Sequence, residues 1–157
     1  MLSETLAQSA SPCRNAIMAG CVRSVTPTST PTSTPTNTPT ATPSLPTCNG
    51  QTATIYVNTQ GRIVGGPDNG KLYKGKLKGT TGADVIVGTN GIDQITVDGG
   101  NDVVCGGGGN DMLDGGGGND TLTGGLGADK FKGGTGADTA TDFNTREGDT
   151  RTGVEIY

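Results

Sequence analysis

Histidine and tryptophan are absent from this 157-residue chain, and aromatic residues make up only 3% of it. Without histidine, a thiol–imidazole catalyst has no parts. The four cysteines, Cys13, Cys21, Cys48 and Cys105, include no C-x-x-C pair, so a zinc site lacks its ligands too. No run approaches the ~20 apolar residues of a membrane-spanning helix. Only 30% of the residues are hydrophobic, while glycine alone supplies 29. Such a chain buries too little apolar surface to offset the entropy of ordering its backbone. Composition by itself describes a disordered Gly/Thr/Pro-rich protein. Positive charge is scarce where negative charge gathers: Gly79 to Asp142 holds ten Asp against two Lys, with Lys71, Lys74, Lys76 and Lys78 just before. An acidic array repels nucleic-acid backbones and anionic lipid, and it suits a hard cation.

What is present is a repeat. Cut every nine residues, Gly79 to Thr141 reads GTTGADVIV, GTNGIDQIT, VDGGNDVVC, GGGGNDMLD, GGGGNDTLT, GGLGADKFK, GGTGADTAT. The sixth place of all seven units is Asp: Asp84, Asp93, Asp102, Asp111, Asp120, Asp129 and Asp138. The eighth is always apolar: Ile86, Ile95, Val104, Leu113, Leu122, Phe131 and Ala140. Fixed-period self-similarity outranks local propensity as evidence of fold. The first six places are loop-forming, because glycine permits positive φ and lets carbonyls turn inward. The last three make a minimal strand, with the eighth side chain inward and its neighbours outward. Two units then complete one turn of a flattened coil, so residues eighteen apart stack, Asp111 over Asp129 and Asp120 over Asp138.

Stacked strands lie ~4.8 Å apart. Two carboxylates at that spacing repel by about 3 kcal/mol at an effective dielectric of 20. A cation midway between them would sit ~2.4 Å from each, which suits Ca²⁺ and is too long for Mg²⁺. Glycine-loop carbonyls can complete the shell. The candidate ligands are the seven aspartates and the second- and fourth-place glycines of the last four units: Gly107, Gly109, Gly116, Gly118, Gly125, Gly127, Gly134 and Gly136. Thr80, Thr89 and Val97-Asp98 depart from the glycine pattern, so the first three units are the weaker sites. Three to five bound calcium ions are expected.

The G-G-x-G-x-D-x-U-x pattern resembles the repeats-in-toxin (RTX) family of calcium-binding nonapeptide repeats. The resemblance covers 63 residues, 79–141. It implies an all-β fold, a right-handed parallel β-roll (β-solenoid) that folds on binding calcium. It also implies a secreted bacterial protein, ordered outside the cell where calcium is millimolar. Family members usually leave the cell by a route read from a C-terminal region, and only sixteen residues follow the repeats here.

The flanking segments divide as follows. Residues 1–25 are unassigned and disordered in expectation; they make a poor signal peptide, since Glu4 replaces a basic start, and Met18 to Cys21 only loosely resembles a lipobox. Residues 26–47 place proline at 27, 31, 35, 39, 43 and 46. That pattern forbids helix and sheet and gives an extended Thr/Pro-rich linker, whether a plain spacer or an O-glycosylated stalk. Residues 48–78 form a β-rich cap, with strands over Thr52–Val57 and Arg62–Val64 and turns at Asn58–Gly61 and Gly65–Gly70. GKLYKGKLK (70–78) keeps the register with Leu77 inward and Gly75 in place of the Asp, as a rung without a ligand. Residues 142–157 are the C-terminal cap, where Phe143, Val154, Ile156 and Tyr157 form the closing layer. Given the oxidising compartment the family implies, Cys48 and Cys105 are expected to pair, the alternative being two free thiols.

The leading functional expectation is a secreted or cell-surface calcium-binding structural module, not an enzyme, with calcium as its partner and no nucleic acid or membrane span. The periodic aspartates are ligands and offer no unique catalytic constellation. The alternatives are an adhesion or ligand-recognition module, and the C-terminal RTX remnant of a larger secreted hydrolase or toxin. Ice binding fails for want of an outward Thr ladder.

Overall fold

The computed structural model describes residues 44–156. Segment 1–25, most of the Thr/Pro-rich linker, Cys13, Cys21 and Tyr157 lie outside them. In chain order the strands are β1 (Thr47–Cys48), β2 (Gln51–Thr52), β3 (Ile55–Val57), β4 (Ile63–Val64), β5 (Lys76–Lys78), β6 (Val85–Val87) and β7 (Gln94–Thr96). Then come β8 (Val103–Gly108), β9 (Met112–Gly117), β10 (Thr121–Leu126), β11 (Lys130–Thr135), β12 (Thr139–Ala140), β13 (Thr150–Thr152) and β14 (Glu155–Ile156). No helix occurs among the described residues, so none there is long and apolar enough to cross a membrane.

From β5 to β14 the strands alternate between two sheets, parallel throughout except where β4 runs antiparallel to β3. One runs β14-β12-β10-β8-β6-β3-β4, the other β13-β11-β9-β7-β5. Within the repeats the register is eighteen residues: Ile86 pairs with Val104, Val104 with Leu122, Ile95 with Leu113, and Leu113 with Phe131. This is a parallel β-solenoid of about four turns. Every eighth-place side chain is buried, and together they form a narrow core between the sheets with Ile55, Ile63, Leu77, Val97 and Val154. One apolar residue in nine suffices because each packs against its copies a turn away and against the opposite sheet.

The strands are longer than the three places expected. β8 to β11 each span six residues and absorb the first three places of the next unit. The glycines there pair in register, Gly107 with Gly125 and Gly116 with Gly134. A bare backbone can lie flat against its copy, so the ladder continues until the fourth place forces the turn.

The N-terminal elements attach in two ways. The β1–β2 hairpin, turned at Asn49 and Gly50 (φ 48° and 80°), lies against the first sheet and is bound to β8 by the Cys48–Cys105 disulfide, Cα–Cα 5.7 Å. The Asn49 side chain also donates to Thr123 Oγ1 at 3.1 Å. Closing this loop is worth about 4 kcal/mol in the chain-entropy picture. β3 joins the solenoid itself, parallel to β6, with Ile55 opposite Ile86. The single strand expected over Thr52–Val57 is therefore split. Ala53 N donates to Pro46 O and Thr54 N to Val85 O, so one end serves the hairpin and the other the roll.

At the far end Phe143 meets Phe131 edge-on at 6.1 Å between centroids, and the Arg151 guanidinium lies over Phe143. Arg151 also donates to the Val154 carbonyl. Phe143 and Val154 close the core, whereas Ile156 is 49% exposed and does not. Its strand β14 extends the sheet past Ala140, so Ile156 follows a residue too small to hold it inward.

Candidate metal centre

The sixth-place aspartates immediately precede the strands, and all seven are buried. Each stands where the turn enters the sheet. Five of them use Oδ1 to accept the backbone N–H of the aspartate one turn earlier. Asp102 accepts from Asp84 at 2.7 Å, Asp111 from Asp93 at 2.9 Å and Asp120 from Asp102 at 2.9 Å. Asp129 accepts from Asp111 at 2.8 Å and Asp138 from Asp120 at 2.9 Å. The result is two columns of carboxylates, Asp84-Asp102-Asp120-Asp138 and Asp93-Asp111-Asp129, each rung bonded to the next.

The second oxygen divides the set. Asp84 Oδ2 accepts both Thr80 N (2.7 Å) and Thr80 Oγ1 (2.9 Å). Asp93 Oδ2 likewise accepts Thr89 N (2.6 Å) and Thr89 Oγ1 (3.1 Å). In contrast, the Oδ2 atoms of Asp102, Asp111, Asp120 and Asp138 are buried without any hydrogen-bond partner. Buried anionic oxygens are costly unless they are paired or coordinate a metal.

The turns change with the acids. Gly107, Gly109, Gly116, Gly118, Gly125, Gly127, Gly134 and Gly136 all have positive φ, between 80° and 128°. Gly82 and Gly91, at the fourth place of the first two units, do not. Threonine at the second place resists positive φ, so those units turn another way and direct a hydroxyl at their own aspartate. Space is also restricted: a Cβ on Gly116 would lie 2.5 Å from Val97 O and 2.6 Å from Asp98 O.

Like charge and burial act on the carboxyls together. Asp111 is pushed up from 3.8 to about 6, first by burial, with the Asp93 backbone N–H pulling it back and the charges of Asp93 and Asp129 raising it further. Asp120 reaches about 6 for the same reasons, with Asp102 and Asp138 as neighbours. Asp93, Asp102 and Asp129 are also raised, each chiefly by burial.

Sequence reading missed several groups. Asp149 extends the second column, its Oδ1 accepting Asp129 N at 2.9 Å and its Oδ2 accepting Asn144 N at 2.7 Å. It follows Asp129 by twenty residues, because two extra residues break the nine-residue count. Asp142 closes the other side by accepting Gly124 N and Gly125 N at 2.9 and 2.7 Å. Asn101, Asn110 and Asn119 each accept a backbone N–H eighteen residues on, from Asn119, Ala128 and Ala137. A threonine four residues before an aspartate was the available signal for the capped units.

Among the described residues no three Asp, Glu or Cys side chains converge on one point. A cation in these columns would draw on stacked carboxylates and fill its shell from turn carbonyls and water. That mixture of hard oxygens is what Ca²⁺ takes. The four unpartnered Oδ2 atoms and the positive-φ glycine loops beside them fit such an ion. Thiolate and imidazole are missing, which disfavours softer metals.

Comparison with curated proteins and with solved structures gives no match. A family model does match: residues 78–113 and 106–140 fit the RTX calcium-binding nonapeptide repeat (4 copies). The buried aspartate columns and the glycine turns over them therefore belong to an array of RTX calcium-binding nonapeptide repeats, a structural calcium-binding β-roll.

Proposed function

We propose that this protein is a secreted or cell-surface structural module whose roll is completed by several calcium ions, three to five, and that it performs no catalysis of its own. The observation that carries the reading is the set of four buried, unpartnered Oδ2 atoms on Asp102, Asp111, Asp120 and Asp138. With Asp129, which accepts the backbone N–H of Asp111 in the second column, these are the proposed side-chain ligands. Carbonyls of the turns containing Gly107, Gly109, Gly116, Gly118, Gly125, Gly127, Gly134 and Gly136 are the proposed remainder. When bound, calcium would neutralise stacked carboxylates that otherwise oppose one another across each layer. The chain's own part is to present the oxygens, through the Oδ1–amide ladder and the positive-φ turns.

An extracellular setting is supported by the Cys48–Cys105 disulfide, which suits an oxidising compartment. The test is far-UV circular dichroism of the full oxidised chain, titrated with Ca²⁺ after chelator treatment and with Mg²⁺ as control. A cooperative gain of β signal with Ca²⁺ alone is expected. A spectrum indifferent to millimolar Ca²⁺ would overturn the reading.

A further inference from the structure

The seven aspartates share one position in the repeat, yet their second oxygens are not in one state. We infer that Thr80 and Thr89 close their two units to calcium and thereby make the first turn of the roll a calcium-independent seed. This inference rests on the calcium reading above. In each of these units the threonine supplies two donors, its backbone N–H and its hydroxyl, to the same Oδ2 that is left without a partner on Asp102, Asp111, Asp120 and Asp138. The hydroxyls also brace the turn, accepting Gly82 N at 3.2 Å and Gly91 N at 3.1 Å. These donors take the place of a cation: the oxygen is satisfied, and the space beside it is taken by a side chain that glycine lacks.

The rest of the N-terminal region is built to the same end. The Cys48–Cys105 disulfide encloses both threonine-capped units within its loop. Thr54 Oγ1 accepts Val85 N at 2.9 Å, and Thr54 N donates to Val85 O, which pins β3 to β6. Val97 replaces the first-place glycine of the third unit and is buried, adding core that the later units do not have. Satisfied carboxylates, a covalent loop and extra apolar volume coincide over the same rungs. From Asp102 on the order reverses, with bare oxygens on Asp102, Asp111, Asp120 and Asp138 and with positive-φ glycine turns. Calcium would then extend a preformed template from β8 toward β11, instead of folding the whole array from nothing.

The experiment is amide hydrogen exchange on the full oxidised chain, in chelator and in millimolar Ca²⁺, alongside calorimetric calcium stoichiometry. In chelator, amides of β3, β6 and β7 should stay well protected while those of β9 and β11, only weakly held, exchange much faster; calcium should slow the latter. Thr80→Gly/Thr89→Gly should raise the calcium stoichiometry by one or two ions and make the first turn calcium-dependent. Thr80→Val/Thr89→Val, which removes the hydroxyls without freeing the turn, should lower first-turn protection and add no ion. If the native chain binds calcium but all rungs gain protection together, the seed is refuted while the calcium reading stands. If the native chain binds no calcium at all, the underlying reading fails first. An unchanged stoichiometry in a folded double-glycine variant also refutes the role given to the threonines.

Discussion

Asp111→Asn separates a ligand from a structural acceptor. The asparagine carbonyl can keep the bond from Asp93 N, so the ladder survives. What changes is the charge beside Asp93 and Asp129, both of which raise the Asp111 carboxyl. At the ~4.8 Å layer spacing each neighbour opposes it by up to about 3 kcal/mol at an effective dielectric of 20. Removing that charge stabilises the calcium-free roll. In calcium the sign reverses, since an unpartnered anionic oxygen has become an amide N–H₂ facing a cation. Calcium affinity at that layer should fall by at least about tenfold, equivalent to about 1.4 kcal/mol. The assay is a pair of thermal melts by circular dichroism at neutral pH, one in chelator and one in saturating Ca²⁺. The variant should melt higher than the native chain in the first and lower in the second. A variant that melts lower in both conditions would refute the electrostatic argument and leave Asp111 an ordinary hydrogen-bond acceptor. Asp84→Ala is the contrast. It leaves both Thr80 donors without their acceptor, so it should destabilise in chelator by about 1–3 kcal/mol.

Two further outcomes follow from the same geometry. The folded carboxyls of Asp111 and Asp120 lie near 6, above the 3.8 of an unperturbed aspartate. The calcium-free roll therefore binds protons more readily than the unfolded chain in that window, and its stability rises as pH falls from neutral through 6 toward 4. In calcium, protons compete for the same oxygens, so the calcium midpoint should rise over that fall; melts and titrations at stepped pH check both signs, and a chelator melt that drops on acidification contradicts them. Gly116→Ala places a Cβ against two carbonyls at a φ of 80° and should cost more than about 2 kcal/mol in calcium. Gly70→Ala, with a similar φ of 82° and open space, should cost only the backbone part, about 1 kcal/mol.

The nonapeptide alone determined the architecture. An apolar residue every nine places, an invariant aspartate two before it and glycines ahead of both leave one economical solution, a two-sided coil with an eighteen-residue turn. Even the extra rung at Leu77 and the contact of Phe143 with Phe131 could be read from register and side-chain size. These features depend on periodicity, and periodicity is visible in one dimension. Only the tertiary structure decided which carboxylate oxygens are left without partners, because that depends on donors arriving from elsewhere. Thr80 and Thr89 reach forward four residues, Asn144 reaches Asp149, and the Oδ1 atoms are taken by amides a full turn away. Asp149 was hidden because two extra residues break the count that had made the other aspartates conspicuous. The disulfide, too, rested on whether the hairpin before the roll folds back over its outer face, which spacing between cysteines does not encode. A repeat tells where each side chain must point, but the partner it meets there is fixed by packing.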